Sequence, residues 1–377
     1  MRTGRLLLSV IVVLITFSAS AINFSRVNIA WQYNLNFNVK MAHRVVNTDD
    51  GIVVFLRVSS DSLSFWDYEL LVQNGYESES HRTITPQIDT LKNDSSEMFL
   101  KLILRDIEEN LLVVKFSKSE KFYFYDASLK IGNLSFPSIY PVDEEGLPIL
   151  ENYINRSGFS WQGNDSFLAS QYPEDFQPAD PPMADMKPLV PQVEMDTSFL
   201  YVNGEEFLEN KFYTLLKDSS ASLGVTTLRV APYFPKYRQL GELVEAMLYL
   251  TSEQERKEML KSKNPKQSFD SFWMNTYSTK SLARNAIRGY YNLVEQANVL
   301  YTDFKPGWKT DRGMMYIVYG RPDEVYRTGN SEEWYYDRGT AFEFTVISTF
   351  FAPKTFTLRR NREFEEQWYN QIAAIRR

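Results

Sequence analysis

The chain of 377 residues contains no cysteine and only two histidines, His43 and His81. Without cysteine it can form no disulfide bond, carry no lipid on an N-terminal cysteine and build no thiolate zinc site. Two histidines leave little material for a zinc centre or a Ser-His-Asp triad, and neither lies near a Gly-x-Ser-x-Gly sequence. No Asp-x-Asp-x-Asp-Gly loop occurs, which leaves open only a calcium site built from scattered carboxylates. We expect a fold held together by burial, with no metal and no cofactor.

The chain also lacks an excess of positive charge, with 41 Lys and Arg residues against 48 Asp and Glu residues. The formal net charge is −7, whereas a nucleic-acid-binding domain usually presents a basic surface, so we expect no nucleic-acid partner. What the chain does have is apolar and aromatic material, 44% and 15% of its residues. That is enough to fill the cores of about two or three domains of ordinary size.

Only one long apolar run occurs, and it lies at the N-terminus. Arg2 and Arg5 precede an apolar run over residues 6–17. Ala19-Ser20-Ala21 follows this run and has the small residues of a cleavage site. This pattern is typical of a secretory signal peptide, and the run is shorter than the roughly 20 residues of a membrane-spanning helix. We expect residues 1–21 to be removed and the rest to contain no transmembrane segment. An uncleaved membrane anchor is the alternative.

The first half of the remaining chain is rich in predicted strands. Short β-branched and aromatic segments alternate with turn sequences at residues 52–58, 99–104, 111–116 and 121–125. Their spacing predicts an antiparallel β-sandwich domain over residues 22–131, without long helices. Weaker strand patterns predict a second β-rich domain over residues 132–235, with strands at 133–136, 159–161, 198–202, 212–216 and 226–230.

Within this second region, residues 173–191 are rich in proline. The segment contains Pro173, Pro178, Pro181, Pro182, Pro188 and Pro191. Proline donates no backbone hydrogen bond and favours extended geometry, so we predict a strap laid across a domain surface. A linker or a docking segment for a partner is the alternative.

After Pro235 the apolar spacing changes to that of helices. We predict a helical segment over residues 236–305, with helices at 239–250, 252–261, 269–274 and 278–301. The second begins at a Ser-x-x-Glu capping box. In the last, apolar residues at steps of three and four from Leu282 to Tyr301 predict one wide buried face.

The sequence Gly-Trp-Lys-Thr-Asp-Arg-Gly follows at residues 307–313. An apolar run to Tyr319 comes next and ends at Gly-Arg-Pro-Asp-Glu, so we predict a turn, a buried strand over residues 315–319 and a second turn. Strands at 332–337, 342–347 and 355–358 and a helix at 362–375 complete a small α+β domain over residues 306–377. The predicted fold class is therefore multidomain α+β.

In length, order and spacing, residues 307–325 resemble the diagnostic motif of the GWxTD domain, a family of bacterial proteins seen mostly with export signals. Phe272-Trp273 before the long helix and Glu332-Glu333-Trp334-Tyr335-Tyr336 after the motif match further parts of that domain. The resemblance is specific from about residue 240 to the end. It implies an exported protein of the bacterial envelope, periplasmic or associated with the outer membrane, and brings no assigned reaction.

The candidate site residues are those of the motif and its surroundings: Gly307, Trp308, Thr310, Asp311, Arg312, Gly313, Tyr319, Gly320, Pro322, Asp323, Glu324 and Trp334. Arginines could hold an anion and nearby carboxylates could act as acid and base. We instead predict structural roles, with Asp311 satisfying amides at a turn or helix end and Arg312 pairing with it or with a carbonyl. A nucleotide phosphate loop is not expected, because no Gly-Lys-Ser/Thr closes the run and a strand is predicted to follow.

These observations favour a non-catalytic exported scaffold that binds protein partners of the cell envelope, with peripheral association with a membrane complex. One alternative is a hydrolase of envelope glycan or peptide that uses Asp311, Asp323 or Glu324 in a cleft, with a pKa raised by burial. The other is a carbohydrate-binding module, which would present a coplanar strip of exposed aromatic side chains.

Overall fold

The structure is a computed structural model that describes residues 22–61, 63, 66–118, 120–131, 134–163, 166–185, 193–202, 207–221, 223–337 and 339–376. The predicted signal peptide and residues 186–191 of the proline-rich segment lie outside the described residues. Two β-rich regions are followed by helices and then by a sheet with flanking helices. This order confirms the predicted multidomain α+β fold.

The N-terminal region contains the strands β1 (Val39–Thr48), β2 (Gly51–Ser60), β3 (Asp67–Gln73), β4 (Arg82–Thr83), β5 (Gln87–Asn93), β6 (Glu97–Leu104), β7 (Leu111–Lys118) and β8 (Lys121–Ser128). They form two four-stranded antiparallel sheets, in the orders β1-β2-β6-β5 and β4-β3-β7-β8. Val54 and Leu102 from one sheet share a buried core with Leu112 and Val114 from the other. The predicted antiparallel sandwich is therefore present.

The second β-rich region contains β9 (Lys130–Ile131), β10 (Leu134–Ser135), β11 (Tyr140–Asp143), β12 (Tyr153–Ile154), β13 (Phe159–Gln162), β14 (Ser166–Pro173), β15 (Thr197–Val202), β16 (Lys211–Leu216) and β17 (Val225–Arg229). Its main sheet has five strands in the order β12-β17-β16-β14-β15, antiparallel except where β12 meets β17. Strand β15 therefore lies at one edge of this sheet.

The C-terminal part contains α1 (Leu240–Ala246), α2 (Glu253–Lys261), α3 (Pro265–Thr276), α4 (Lys280–Tyr301), α5 (Asp311–Tyr319), β18 (Glu324–Arg327), β19 (Ser331–Tyr336), β20 (Thr340–Ile347), β21 (Thr355–Leu358) and α6 (Glu365–Ile375). The four strands form an antiparallel sheet in chain order. Short 3-10 helices occupy Phe24–Arg26, Ala30–Tyr33, Gly307–Lys309 and Arg362–Phe364.

Capping residues set several helix boundaries. Ser252 and Glu255 form the predicted capping box of α2. Helix α3 begins earlier than predicted, because the Asn264 side chain accepts a bond from the Gln267 amide and Pro265 occupies the first turn. Helix α1 is shorter than predicted, since the chain leaves the helix at Met247.

The strand predicted over residues 315–319 is wrong, because these residues form the second half of helix α5. Thr310 caps its N-terminus, and Gly320, with a φ of 81°, follows its C-terminus. Every residue from Gly313 to Val318 is buried, so the segment shows no polar face and its apolar run looks like that of a buried strand.

The largest core joins the two ends of the chain. It contains Phe24, Ile29 and Tyr33 from the N-terminal segment together with side chains of α1 to α6 and of the C-terminal sheet. The Ile29 amide donates to the Val325 carbonyl (2.9 Å), which attaches the N-terminal segment to the edge strand β18. The N-terminal segment therefore packs on the C-terminal sheet before the chain enters the sandwich.

Candidate functional site

The motif joins the end of α4 to the start of α5, and its tryptophan is anchored by three hydrogen bonds. Trp308 is buried; its backbone amide donates to the Asn298 side chain (3.1 Å) and its indole N–H to the Tyr237 hydroxyl (2.7 Å). Its carbonyl accepts a bond from the Tyr249 hydroxyl (3.1 Å). Trp308 thus connects α4 to the segment that carries α1.

The two glycines of the motif lie where backbones almost touch. A Cβ on Gly307 would lie 1.9 Å from the carbonyl oxygen of Ala297, and one on Gly313 would lie 1.8 Å from that of Gly307. Both positions therefore require glycine for close approach of the backbone.

Thr310 begins helix α5. Its hydroxyl donates to the Gly307 carbonyl (2.7 Å) and accepts from the Gly313 amide (3.0 Å), which satisfies an otherwise unpaired amide of the first turn. Because a helix follows the motif, one of our two reasons for not expecting a phosphate loop is wrong. The other reason, the missing Gly-Lys-Ser/Thr, still holds.

Asp311 is held by partners on the last strand and just beyond it. Its carboxylate accepts from the Leu358 amide (2.8 Å) and pairs with the Arg360 guanidinium (2.7 Å). Asp323 and Glu324 lie at the other end of α5, where both are exposed. The nine residues of α5 rise by about 12 Å from first to last at 1.5 Å per residue, so Asp311 lies at one end of the helix and Asp323 and Glu324 lie beyond the other.

The remaining motif residues also have local contacts. Asp323 accepts a bond from the Asp337 amide (2.8 Å), and Glu324 from the Tyr326 hydroxyl (2.8 Å). Pro322 is buried beside them. The Gly320 carbonyl accepts from the Tyr336 hydroxyl (3.2 Å), and the ring of Tyr319 packs against that of Phe342, with 4.9 Å between their centroids.

The described part of the proline-rich segment, residues 173–185, lies against the motif. The Ala179 amide donates to the Lys309 carbonyl (2.8 Å), and the Lys309 ammonium pairs with Glu174 (2.7 Å). Arg360, which pairs with Asp311, also donates to the Asp180 carbonyl (2.9 Å). The segment and the motif therefore hold each other in place.

Next to the motif, charged side chains from three parts of the chain form a buried charge cluster. Its members are Tyr33, Asp126, Arg312, Arg327 and Glu332. Arg327 pairs with Glu332 (2.6 Å) and with Asp126 of β8 (2.6 Å). Glu332 also accepts bonds from the Tyr33 hydroxyl (2.7 Å) and the Trp334 indole N–H (2.8 Å). The cluster thus joins the sandwich to the C-terminal sheet.

Arg312, the motif arginine, lies at the rim of this cluster rather than beside Asp311. Its guanidinium stacks on the ring of Phe356, 3.5 Å from the centroid, and approaches the Glu332 carboxylate at 3.5 Å. Burial raises the pKa of the Glu332 carboxyl, but the charges of Arg327 and Arg312 outweigh that effect and lower the pKa below its ordinary value. The same balance of burial against the charges of Arg327 and Lys354 lowers the pKa of Asp126. Both carboxyls are therefore ionised at neutral pH.

The sequence model of the GWxTD domain matches residues 211–377. The protein is a GWxTD domain-containing protein. The matched region of this GWxTD domain protein begins at β16, so it includes two strands of the five-stranded sheet as well as all six α-helices and the C-terminal sheet. No match was found among curated protein sequences.

One edge of that five-stranded sheet is unusual. Edge strands are normally protected by charge, by proline or by being short. In the described residues, the edge strands longer than four residues are β1, β5, β8 and β15. The first three contain charged residues, whereas β15 has the sequence Thr-Ser-Phe-Leu-Tyr-Val and contains neither charge nor proline.

The outer face of this edge is apolar. Leu200 and Val202 of β15 are 61% and 58% exposed, while Tyr201 between them is buried and stacks on Phe167. Leu200 is paired with Leu168 of β14, and Leu168 with Leu216 of β16. Three leucines therefore lie side by side across three strands, and we call Leu168, Leu200 and Leu216 the leucine row.

Other features of the described residues bear on the alternatives. Tyr68 and Phe122, the two well-exposed aromatic side chains in the described part of the sandwich, occupy adjacent cross-strand rows that face opposite sides of their sheet, so they form no coplanar strip. Across all the residues that the structure describes, no group of three or more His, Asp or Glu side chains is arranged to hold a metal ion. No helix among these same residues has both the length and the apolar character needed to cross a membrane.

Proposed function

We propose that this protein is a non-catalytic, exported interaction protein of the bacterial cell envelope that binds a protein partner along β15. Export is supported by the sequence of residues 1–21, and the envelope by the resemblance to GWxTD proteins. The observation that carries the binding proposal is the unprotected edge formed by β15.

An uncharged edge strand offers backbone N–H and C=O groups that another chain can use. Four of the six β15 residues, Thr197, Phe199, Tyr201 and Val202, are β-branched or aromatic and so favour pairing as a strand. The motif offers no comparable binding surface, because its residues contact other parts of the same chain. The geometry therefore supports binding at the sheet edge rather than chemistry at the motif.

The partner that fits is an extended protein segment that adds a further strand to the sheet. Its backbone would pair with β15, and every second side chain would lie beside Leu200 and Val202. We expect those alternate partner residues to be apolar, since they would lie next to Leu200 and extend the leucine row by one strand. Main-chain bonds would supply affinity, and the apolar positions would supply specificity.

The test is cross-linked co-purification of the tagged protein from its native envelope, with a matched pair of variants. Leu200→Lys/Val202→Lys places two charges on the β15 edge. Ile88→Lys/Leu91→Lys places two charges on β5, an edge strand of the sandwich whose residues Ile88 and Leu91 are also exposed. We expect the partner to be captured by the wild type and by the β5 variant and lost with the β15 variant.

Amide hydrogen exchange of the captured complex supplies the second readout. Strand addition would slow exchange of β15 amides, because they would become hydrogen-bonded to the partner. Recovery of the protein alone, equal capture by both variants, or unchanged exchange in β15 would each contradict the proposal. N-terminal sequencing of the protein from the envelope fraction tests export separately, and a chain still beginning at Met1 would contradict cleavage.

A further inference from the structure

A large cavity lies where the main regions of the protein meet. It has a volume of about 600 Å³ and is bordered by the N-terminal segment at Trp31, by β1 at His43, by the residues before β12, by the end of α4 at Val299 and by the β20–β21 connection at Lys354. This volume is within the range of pockets that hold small organic ligands. None of Trp308, Asp311, Asp323 and Glu324 borders it.

The charge of the cavity lining is opposite in sign to that of the protein. Six of its residues are cationic, namely Lys40, Arg44, Arg57, Arg312, Arg327 and Lys354, and two are anionic, namely Asp126 and Glu151. The whole chain carries a net charge of −7. A cationic concave surface within an acidic protein attracts and concentrates anions.

Some of these cations are neutralised by the protein itself. Arg57 pairs with Glu151 (2.5 Å), and Arg327 pairs with Asp126 (2.6 Å) and with Glu332. Arg312 approaches Glu332 from the rim. These three arginines are therefore already close to carboxylates of the protein itself.

Arg44 and Lys354 differ from them. Arg44 donates to the backbone carbonyls of Ile149 and Glu151, both at 2.7 Å, and Lys354 lies 3.4 Å from the Ser128 hydroxyl. Among the described residues, neither has a carboxylate oxygen within 4.0 Å. Burial lowers the pKa of Lys354 to about 8 and that of Arg44 to about 10. Both side chains are partly buried. Glu151 acts on Arg44, and Asp126 and Glu332 act on Lys354, only at longer range and without forming an ion pair. An anionic ligand in the cavity would neutralise these two cations more completely.

The rest of the lining suits an apolar body. Trp31, Tyr125, Phe136 and Phe356 supply aromatic surface, and Val225 and Leu300 supply aliphatic surface. The Tyr125 hydroxyl is already bonded to the His43 ring (2.7 Å), so this polar pair is satisfied within the wall. Ligand sites commonly combine such apolar walls with a few charged groups that fix orientation.

We infer that this cavity binds a small organic anion, in which a carboxylate, phosphate or sulfonate group is attached to an apolar or aromatic body. Lys354 and Arg44 provide the charge for the anionic group, and the aromatic walls contact the body. The site lies away from β15, so it is independent of the strand-addition proposal.

The probe for the test is 8-anilinonaphthalene-1-sulfonate, an aromatic anion whose fluorescence rises in apolar surroundings. It is titrated into the full chain beside 1-anilinonaphthalene, which has the same rings and no charge. We expect one saturable site for the sulfonate, weaker binding of the uncharged compound and weakening of the sulfonate complex by salt.

Two variants locate the site. Lys354→Met removes the charge, so we expect about tenfold weaker binding of the sulfonate and little change for the uncharged compound. Val299→Trp fills the cavity from a partly exposed position on α4, so we expect binding of both compounds to be lost. Lys257→Met, on the exposed face of α2, is the charge control and should bind like the wild type.

Circular dichroism and thermal melting verify that each variant is folded before titration. Absence of a saturable sulfonate site in the wild type, or a sulfonate affinity that neither Lys354→Met nor Val299→Trp changes, would overturn the inference. Equal weakening by Lys257→Met would also do so, because it would show a general effect of charge instead of a site.

Discussion

The motif and the β15 edge are opposite kinds of structure within one GWxTD domain protein. In the motif, Thr310 and Asp311 bind neighbouring amides, Trp308 is hydrogen-bonded to three residues, and the glycines leave no room for a Cβ. At β15, one side of the strand has no described neighbour, and Leu200 and Val202 face outward. The most distinctive sequence of this protein, the motif, is therefore an internal joint between its elements, while the surface suited to another molecule has a plain sequence.

The largest effect on stability should come from removing the Trp308 side chain from the motif. Trp308→Ala removes a buried indole and its hydrogen bond to Tyr237, while the two backbone hydrogen bonds of this residue remain, so we expect the free energy of unfolding to fall by about 3–5 kcal/mol. Urea denaturation followed by circular dichroism measures it. Phe350→Ala, which truncates a well-exposed ring, is the control and should change stability by less than about 0.5 kcal/mol. Similar values for both variants would show that Trp308 is not a core residue.

The next largest effect should come from acid. The buried charge cluster next to the motif depends on ionised carboxylates, whereas β15 contains none. Asp126 and Glu332 have a lower pKa in the folded protein than the value of about 4 expected when unfolded. Their stabilising contribution is therefore complete above pH about 4–5 and is lost as the pH falls towards the folded pKa. We expect the urea midpoint to fall steeply below pH about 4.

The control for the acid experiment is Asp126→Asn, which is less stable at neutral pH but has one fewer carboxyl to protonate. We expect its urea midpoint to change less between pH about 5 and 3 than that of the wild type. Amide exchange should show the same contrast locally, with faster exchange in β8 and β19 and little change in β15. An equal pH dependence for wild type and variant would contradict a stabilising role of the Asp126–Arg327 pair.

Local patterns in the sequence predicted much of the fold, and the exceptions have physical causes. Short runs of β-branched and aromatic residues between turn sequences predicted the sandwich strands. In β2 these apolar residues are continuous because both faces of the strand are buried. Helix α5 was predicted as a strand because residues 313–318 are all buried, so this apolar run contains none of the polar positions that would reveal a helix. Thr310 before Asp311 and Gly320 after Tyr319 are helix start and stop signals that could have revealed it.

The site was harder to predict than the fold. The capping role of Thr310 depends on residues three positions away, whereas Trp308 is bonded to Tyr237 and Tyr249, which lie 71 and 59 positions away. The buried charge cluster also depends on distant residues, since Tyr33 and Glu332 are 299 positions apart and Asp126 and Arg327 are 201 apart. The cavity was unpredictable for the same reason, because its lining residues are far apart in the sequence and only the folded chain brings them together.

A smaller effect should follow from removing the two hydrogen bonds that the Thr310 hydroxyl makes within the motif. Thr310→Ala deletes the hydroxyl that caps α5, and such caps contribute about 1 kcal/mol. Thr310→Ser keeps the hydroxyl and should retain most of this stability. Equal loss in both variants would assign the effect to the methyl group, which would mean that packing and not capping is the main role of Thr310.

The smallest effect on stability should come from substitutions at the β15 edge. In the free protein Leu200→Lys/Val202→Lys replaces side chains that are largely in water, so we expect unfolding free energy to change by less than about 0.5 kcal/mol. The same variant should lose its partner. A loss of several kcal/mol would mean that the leucine row is covered within the chain, in which case β15 is a second closed joint. We therefore expect substitution of Trp308 to lower stability, and substitution of Leu200 to weaken contact with another protein while stability stays nearly unchanged.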